Sequence, residues 1–172
     1  MNDLQKTELD ILKAFADICD KLGLRYYLVC GSALGAVKYR GFIPWDDDID
    51  VALPRPDYEV FCKKCQELLP KHRFLQNYKT DPDFPLMFSK IRNSNTTFVE
   101  GMMQNINMNH GVYIDVFPLD GYPETKKKQQ DLEREKKRYN CRRVVKCTYR
   151  RRCYDIRGIR PHTLYLLYKC FG

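Results

Sequence analysis

The sequence predicts a mixed α/β (α+β) domain, a small sheet with flanking helices, followed by a basic helical segment. Apolar residues recur with helical and then strand periodicity in turn along residues 4–117, the pattern of helices packed on a sheet. An apolar fraction of 44% over 172 residues is enough to bury one real core. Charge is segregated: residues 1–124 carry 14 Lys/Arg against 18 Asp/Glu, whereas residues 125–172 carry 16 against 4. A core of net −4 therefore precedes an appendage of net +12, and the predicted division is 1–123 and 124–172.

Taken in order, Leu4, Ile11, Leu12, Phe15, Ile18, Cys19 and Leu22 keep helical spacing up to Gly23. RYYLVC (25–30) is a short β-rich run that stops at Gly31-Ser32, and SALGAVK (32–38) forms a brief helix opening from that turn. Gly41 and Pro44 make YRGFIPWD a loop. DIDVAL (48–53) alternates with period two and is predicted as a strand beside the first. Pro56 suits the first helical position, and Tyr58, Phe61, Cys62, Cys65, Leu68 and Leu69 continue a helix to Pro70. Three more strands are predicted at 72–78, 85–92 and 111–117, with PLDGYP (118–123) as a turn in which Asp120 is a turn residue. Residues 124–152 are polar and charged, and a second short helix is predicted at 162–170.

Composition also excludes several classes. No run of 18 apolar residues spans a membrane. The N-terminal MNDLQKTELDILKAF has acids where a secretory signal needs a basic segment, so a cytosolic protein is expected. Without a secretory signal, the eight cysteines are expected as reduced thiols. Cys62 and Cys65 form a CxxC inside a predicted helix with no second pair, and Cys141, Cys147 and Cys153 repeat every six residues, which does not keep one helical face. A closed zinc site needs four well-spaced ligands, so none is expected.

Chemistry concentrates in GSALGAVKYRGFIPWDDDIDV (31–51), where Asp46, Asp47, Asp48 and Asp50 crowd into five positions threaded by Trp45, Ile49 and Val51. Neighbouring carboxylates repel, and burying them unpaired costs several kcal/mol, so this segment calls for a cation. In a strand, Asp48 and Asp50 share a face about 6–7 Å apart while Ile49 and Val51 point to the core, which suits two oxygen ligands for Mg²⁺. An EF-hand is excluded, because counting from Asp46 the sixth position is Val51 and the twelfth is Asp57. Lys38, Arg40 and Arg92 are candidates to steady phosphate oxygens, the arginines by a planar fork and the lysine as a point charge.

The order strand, Gly31-Ser32, short helix, then Asp48-Ile49-Asp50-Val51 resembles the polymerase-β-like nucleotidyltransferase superfamily. That resemblance implies backbone N–H groups at Gly31 and Ser32 facing nucleotide phosphates, Mg²⁺ on Asp48 and Asp50, and a third carboxylate from a later strand. The well-placed third acid is Asp115, in VYIDVFPLD. The blocks YYLVCGSALGAVKYRGFIPWDDDIDVALPRPDY, KIRNSNTTF and GVYIDVFPLDGYP narrow the likeness: they resemble the LicD family of phosphocholine transferases, whose distant relatives include fukutin and fukutin-related protein. The likeness covers about residues 8–123. It implies Mg²⁺-dependent transfer of a phosphoalcohol, most often phosphocholine, from a CDP-linked donor such as CDP-choline to a glycan hydroxyl. Lipopolysaccharide and teichoic acid are the usual acceptors, which makes cell-surface polysaccharide or lipopolysaccharide biosynthesis the expected setting. Residues 1–123 are then a nucleotidyltransferase-like catalytic core. In it Asp48, Asp50 and Asp115 hold the ion, and Asp115 also orients the acceptor hydroxyl or accepts its proton.

Rival expectations are a nucleotide-sugar glycosyltransferase with an Asp-x-Asp metal motif, a template-independent nucleotidyltransferase or RNA-binding relative, and an inactive remnant of the family. Gly31-Ser32, ending 16 residues before Asp48, favours the nucleotidyltransferase fold over the first. The basic segment, from Lys126, Lys127 and Lys128 to Arg150, Arg151 and Arg152, attracts phosphate-bearing partners of either kind. Its aromatics for stacking bases are sparse (Tyr139, Tyr149, Tyr154), so an anionic membrane surface, with a lipid-linked acceptor, is favoured over nucleic acid.

Overall fold

The computed structural model describes residues 1–150; the side chains beyond Arg138, and the helix expected at 162–170, lie outside the described residues. The elements run α1 (Asp3–Leu22), β1 (Tyr27–Leu28), α2 (Cys30–Tyr39), β2 (Asp50–Pro54), α3 (Arg55–Leu68), β3 (Arg73–Gln76), β4 (Ser89–Asn93), β5 (Val112–Leu119) and α4 (Lys126–Arg150). They form the expected α/β fold around one five-stranded mixed sheet, ordered β1-β2-β5-β4-β3. β2 and β5 are parallel, and the other neighbours are antiparallel.

Local chemistry explains the helix limits. Asn2 and Gln5 close a capping box on α1, and Gly23 ends it in the left-handed region at φ 65. α3 starts straight out of β2 because Pro56 supplies a preset φ in the first turn and needs no donor there.

Alternation then sorts the sheet into two unlike faces. One face carries Val51, Leu53, Leu75, Ile91, Val112, Ile114 and Val116, buried under Ile11, Phe15 and Ile18 of α1 and Phe61 and Cys65 of α3. Phe15 and Phe61 meet edge-on at 5.2 Å and tie the two helices together. The opposite face holds the charged groups, among Ala52, Phe74, Tyr113 and Phe117. Asp50, Asp115, Lys90, Arg92 and Gln76 fall there by register, because Asp50 pairs with Asp115, Asp115 with Lys90, and Lys90 with Gln76. The cysteines described (Cys19, Cys30, Cys62 and Cys65) are free thiols, and no helix of the described residues is long and apolar enough to cross a membrane.

Every strand differs in its limits from the sequence expectation, and three cases have a plain local cause. The run 25–30 yields a strand of only Tyr27–Leu28, because Val29 turns away to cap α2 and Gly31-Ser32 already lie inside that helix. The strand expected from 85 begins at Ser89, since residues 77–84 close turns through Asn77 and Asp81. Pro118 and Leu119, expected in a turn, extend β5 alongside Leu53 and Pro54. Arg55 at the head of α3 forks onto Asp120 at 2.5 and 2.6 Å, which holds the chain extended that far.

Gly111, entering β5, is the most closely approached of the described glycines. A Cβ there would lie 2.1 Å from the Asn93 carbonyl oxygen and 2.7 Å from its carbon, so β4 and β5 would have to part. Gly111→Ala should therefore cost about 1–3 kcal/mol and lower the Tm by several degrees in a thermal melt. Gly121→Ala, which meets nothing within 4 Å, should leave the Tm unchanged. Equal melts for both variants would contradict this account of the β4–β5 contact.

Candidate active site

Three backbone attachments place the acids. Gln5 on α1 donates through Nε2 to the carbonyls of Ile43 (3.4 Å) and Asp46 (3.1 Å), so α1 holds down the loop that carries the aspartates. Ser32 in the first turn of α2 accepts the Asp50 N–H on Oγ at 2.8 Å, and Val29 N–H donates to Asp50 O at 3.1 Å. Asp115 N–H donates to Ile49 O at 2.8 Å, locking β5 to the start of β2. Gly31 gives room to an acid: a Cβ on it would sit 2.9 Å from Asp46 Oδ2. Gly31 and Ser32, singled out for phosphate, thus first serve to position Asp46 and Asp50.

Asp48, Asp50 and Asp115 each bring a carboxylate oxygen within 4.8 Å of the others. Asp48 precedes β2, so the shared strand face expected for Asp48 and Asp50 is a correction: the loop turns Asp48 in. Asp46 and Asp47 bring carboxylate oxygens within 4.8 Å of Asp48 and of each other. Asp50 and Asp115 are buried, while Asp48 is half-buried.

Burial and repulsion act together on these groups. Burial, then Asp48 and Asp115, push the Asp50 carboxyl up to about 7. Burial, then Asp46 and Asp47, raise Asp48. On α1, Glu8 is 1% exposed; burial, then Asp48, Asp47 and Asp46, push it up to about 8, and its Oε2 has no hydrogen-bond partner. Cys30 opens α2 with a left-handed backbone (φ 49), and its thiol is raised by burial and by Asp50, Asp48 and Asp115.

Among the described residues, Lys90 answers this field from inside. Lys90 Nζ lies 2.8 Å from Asp115 Oδ1 and 3.3 Å from Glu100 Oε1, with the Tyr113 ring centroid 3.3 Å away. Burial pushes the Asp115 carboxyl up to about 6, and Lys90 acts against it. A carboxylate oxygen has two lone pairs, so Oδ1 keeps acceptor capacity beside the Lys90 ion pair. Oxygens around Mg²⁺ stand roughly 3–4 Å apart at Mg–O distances of about 2.1 Å, so the three aspartates fit one divalent ion after small side-chain rotations.

The other candidates lie apart from this centre. Arg92 is a correction: it is fully buried, and its guanidinium donates to Gln76, to Gly111 O at 2.8 Å and to Glu100 at 3.0 Å, so it presents no face to a phosphate. Lys38 and Arg40 are exposed at the far end of α2, Lys38 over the Tyr39 ring at 5.4 Å and Arg40 as a left-handed cap at φ 54. At 1.5 Å per residue, Lys38 stands about 9 Å along the helix axis from Ser32. Neither pairs with the three acids among the described residues.

Lys90, Glu100, Tyr113 and Glu8 are the site residues that sequence reasoning missed. Two signals were present. Lys90-Ile91-Arg92 alternates as a strand with one polar face, and Glu8 interrupts the apolar stripe of α1 between Leu4 and Ile11.

Glu8, Asp50 and Asp115 bind a proton more tightly folded than unfolded, so their contribution to stability is fully present below about pH 4 and is lost as pH rises through about 6–8. Without divalent ions the Tm should fall between about pH 5 and about pH 8, and Mg²⁺ should raise it more at the higher pH. A Tm that climbs over that range without metal would contradict the assignment.

Comparison with known proteins agrees with this architecture. The family model described as LicD/FKTN/FKRP, nucleotidyltransferase domain, matches residues 23–152. The chain is 30% identical over 127 residues to lipopolysaccharide cholinephosphotransferase LicD of Haemophilus influenzae, across 72% of this chain and 45% of that protein. An uncharacterized protein of Rickettsia prowazekii is 25% identical over 115 residues, across 66% of this chain and 39% of its own. One from Rickettsia typhi is 32% identical over 65 residues, across 38% and 20%. The chain thus spans less than half the length of these curated relatives. With a match over most of its length that takes in every element of the acidic centre except α1, this chain belongs to the LicD family, through its nucleotidyltransferase domain.

Proposed function

We propose that this domain carries out Mg²⁺-dependent transfer of a phosphoalcohol, phosphocholine in the first instance, from a CDP-linked donor to a hydroxyl of a cell-surface glycan such as lipopolysaccharide. The observation that carries this reading is the meeting of Asp48, Asp50 and Asp115, from a loop and two parallel strands, within the span of one divalent ion. The cholinephosphotransferase name of the Haemophilus influenzae relative supports phosphocholine and lipopolysaccharide as first choices.

In this reading Asp48, Asp50 and Asp115 hold Mg²⁺, which when bound supplies positive charge against the transferred phosphoryl group and the leaving CMP. Ser32 keeps Asp50 in place through its backbone, and Gly31 leaves space for Asp46, so the first turn of α2 fixes the ligands. The N–H groups of that turn are the backbone donors this reading assigns to the donor diphosphate. Asp115 is 7% exposed, which suits it to holding an ion rather than meeting an acceptor. Asp48, the most open of the three, is then the better-placed carboxylate to orient the acceptor hydroxyl or take its proton. Lys38 and Arg40 meet the outer part of an anionic substrate rather than the transferred group. The exposed lysines at the start of α4 favour an anionic membrane surface, where a lipid-linked acceptor would lie.

Incubation with CDP-choline, Mg²⁺ and lipopolysaccharide acceptor should release CMP, and Asp50→Ala should lower that rate on the order of 10³-fold. CDP-choline should also raise the Tm only when Mg²⁺ is present. Wild-type CMP release by Asp50→Ala would contradict the site, and stabilisation by CDP-choline without metal would contradict its mode of binding.

A further inference from the structure

The reaction proposed above leaves Lys90 unused, although its ammonium approaches Asp115 to 2.8 Å and is 1% exposed. We propose that Lys90 and the divalent cation compete for Asp115, and that Glu100 is the berth to which the ammonium withdraws when the cation binds. The proposal rests on the metal-centre reading and adds to it a residue that sets cation affinity.

Five observations converge on this. Lys90 Nζ stands between two carboxylates, 2.8 Å from Asp115 and 3.3 Å from Glu100, so a short displacement moves it from one to the other. Its contact with Glu100 Oε1 is already a hydrogen bond. The berth is prepared: Arg92, fully buried, holds Glu100 Oε2 at 3.0 Å and leaves Oε1 facing Lys90. Against burial, which pushes it up, Lys90 and Arg92 hold the Glu100 carboxyl below its ordinary value, so it stays a charged partner. The Tyr113 ring, 3.3 Å from Nζ, gives the ammonium a surface that no carboxylate competes for.

Charge counting gives the same arrangement. Asp48, Asp50 and Asp115 with Lys90 leave two negative charges for a divalent ion to meet, Asp46 and Asp47 add further negative charge beside them, and Glu100 and Arg92 offset each other. Two cations within a few ångströms of one buried oxygen repel strongly, so the ammonium must either move or weaken the ion. Lys90 is therefore a positioning residue that acts through Asp115.

Titration of the full 172-residue chain with Mn²⁺, read as loss of the free-ion electron paramagnetic resonance signal, tests this without any assay of turnover. Lys90→Met keeps the buried stem and removes the charge, and should tighten Mn²⁺ at least about tenfold. Glu100→Gln removes the berth and should weaken Mn²⁺ about fivefold; in the Lys90→Met background the same change should matter less than about twofold. Equal or weaker binding by Lys90→Met, or an undiminished Glu100→Gln effect in its background, overturns the proposal. Lys90→Gln is measured alongside; should neither Lys90 variant fold, unchanged or tighter binding by Glu100→Gln alone overturns it. Asp50→Asn separates the two levels: absence of any Asp50-dependent Mn²⁺ binding overturns the metal-centre reading and this proposal together, while normal binding with no response at Lys90 overturns only the latter.

Discussion

The register between β2, β5 and β4 is the constraint on which the rest of the structure depends. Asp50 faces Asp115 across a parallel ladder, and Asp115 faces Lys90 across an antiparallel one, so three charged side chains stand in one row. A slip of one residue in β5 would turn Asp115 into the apolar core and Ile114 or Val116 out to the acids. The helices forbid that slip, because Ile114 and Val116 are fully buried under α1 and α3. Hydrophobic packing on one face therefore fixes electrostatics on the other. At about 25 cal/mol per Å² of apolar area, the core has ample free energy to hold a row of groups that repel.

That repulsion is concentrated rather than spread. Buried like charges cost several kcal/mol unless paired, hydrogen-bonded or neutralised by a proton or cation. Asp50 and Glu8 respond by holding protons near neutrality, and Asp115 by contact with Lys90. The strained start of α2 at Cys30 and the absence of a side chain at Gly31 belong to the same economy of space. Such clustering of raised carboxyls with an unusual backbone is what functional sites display, where stability is yielded for chemistry.

The fold was legible in the sequence wherever periodicity was strong. α1 and α3 fall within a residue or two of their expected limits, because apolar spacing, Gly23 and Pro56 mark them. Short strands were blurred at their ends, since Pro118 reads as a turn residue until Arg55 is seen gripping Asp120. At the site, the Asp48–Asp50 pair was visible as spacing, and Asp115 as an acid among apolar strand residues. Arg92 misled because a cation beside a motif reads as a ligand contact, whereas the strand buries it against Gln76, Gly111 and Glu100. Lys90 and Glu100 were illegible as partners because their meeting depends on a connection between strands that no local pattern encodes.

The most direct test of the central claim is anomalous scattering from crystals of this chain soaked in Mn²⁺. The account predicts one ordered peak about 2.2 Å from carboxylate oxygens of Asp48, Asp50 and Asp115 together. Mn²⁺ bound elsewhere, or Asp115 turned from the other two acids in such crystals, would contradict it.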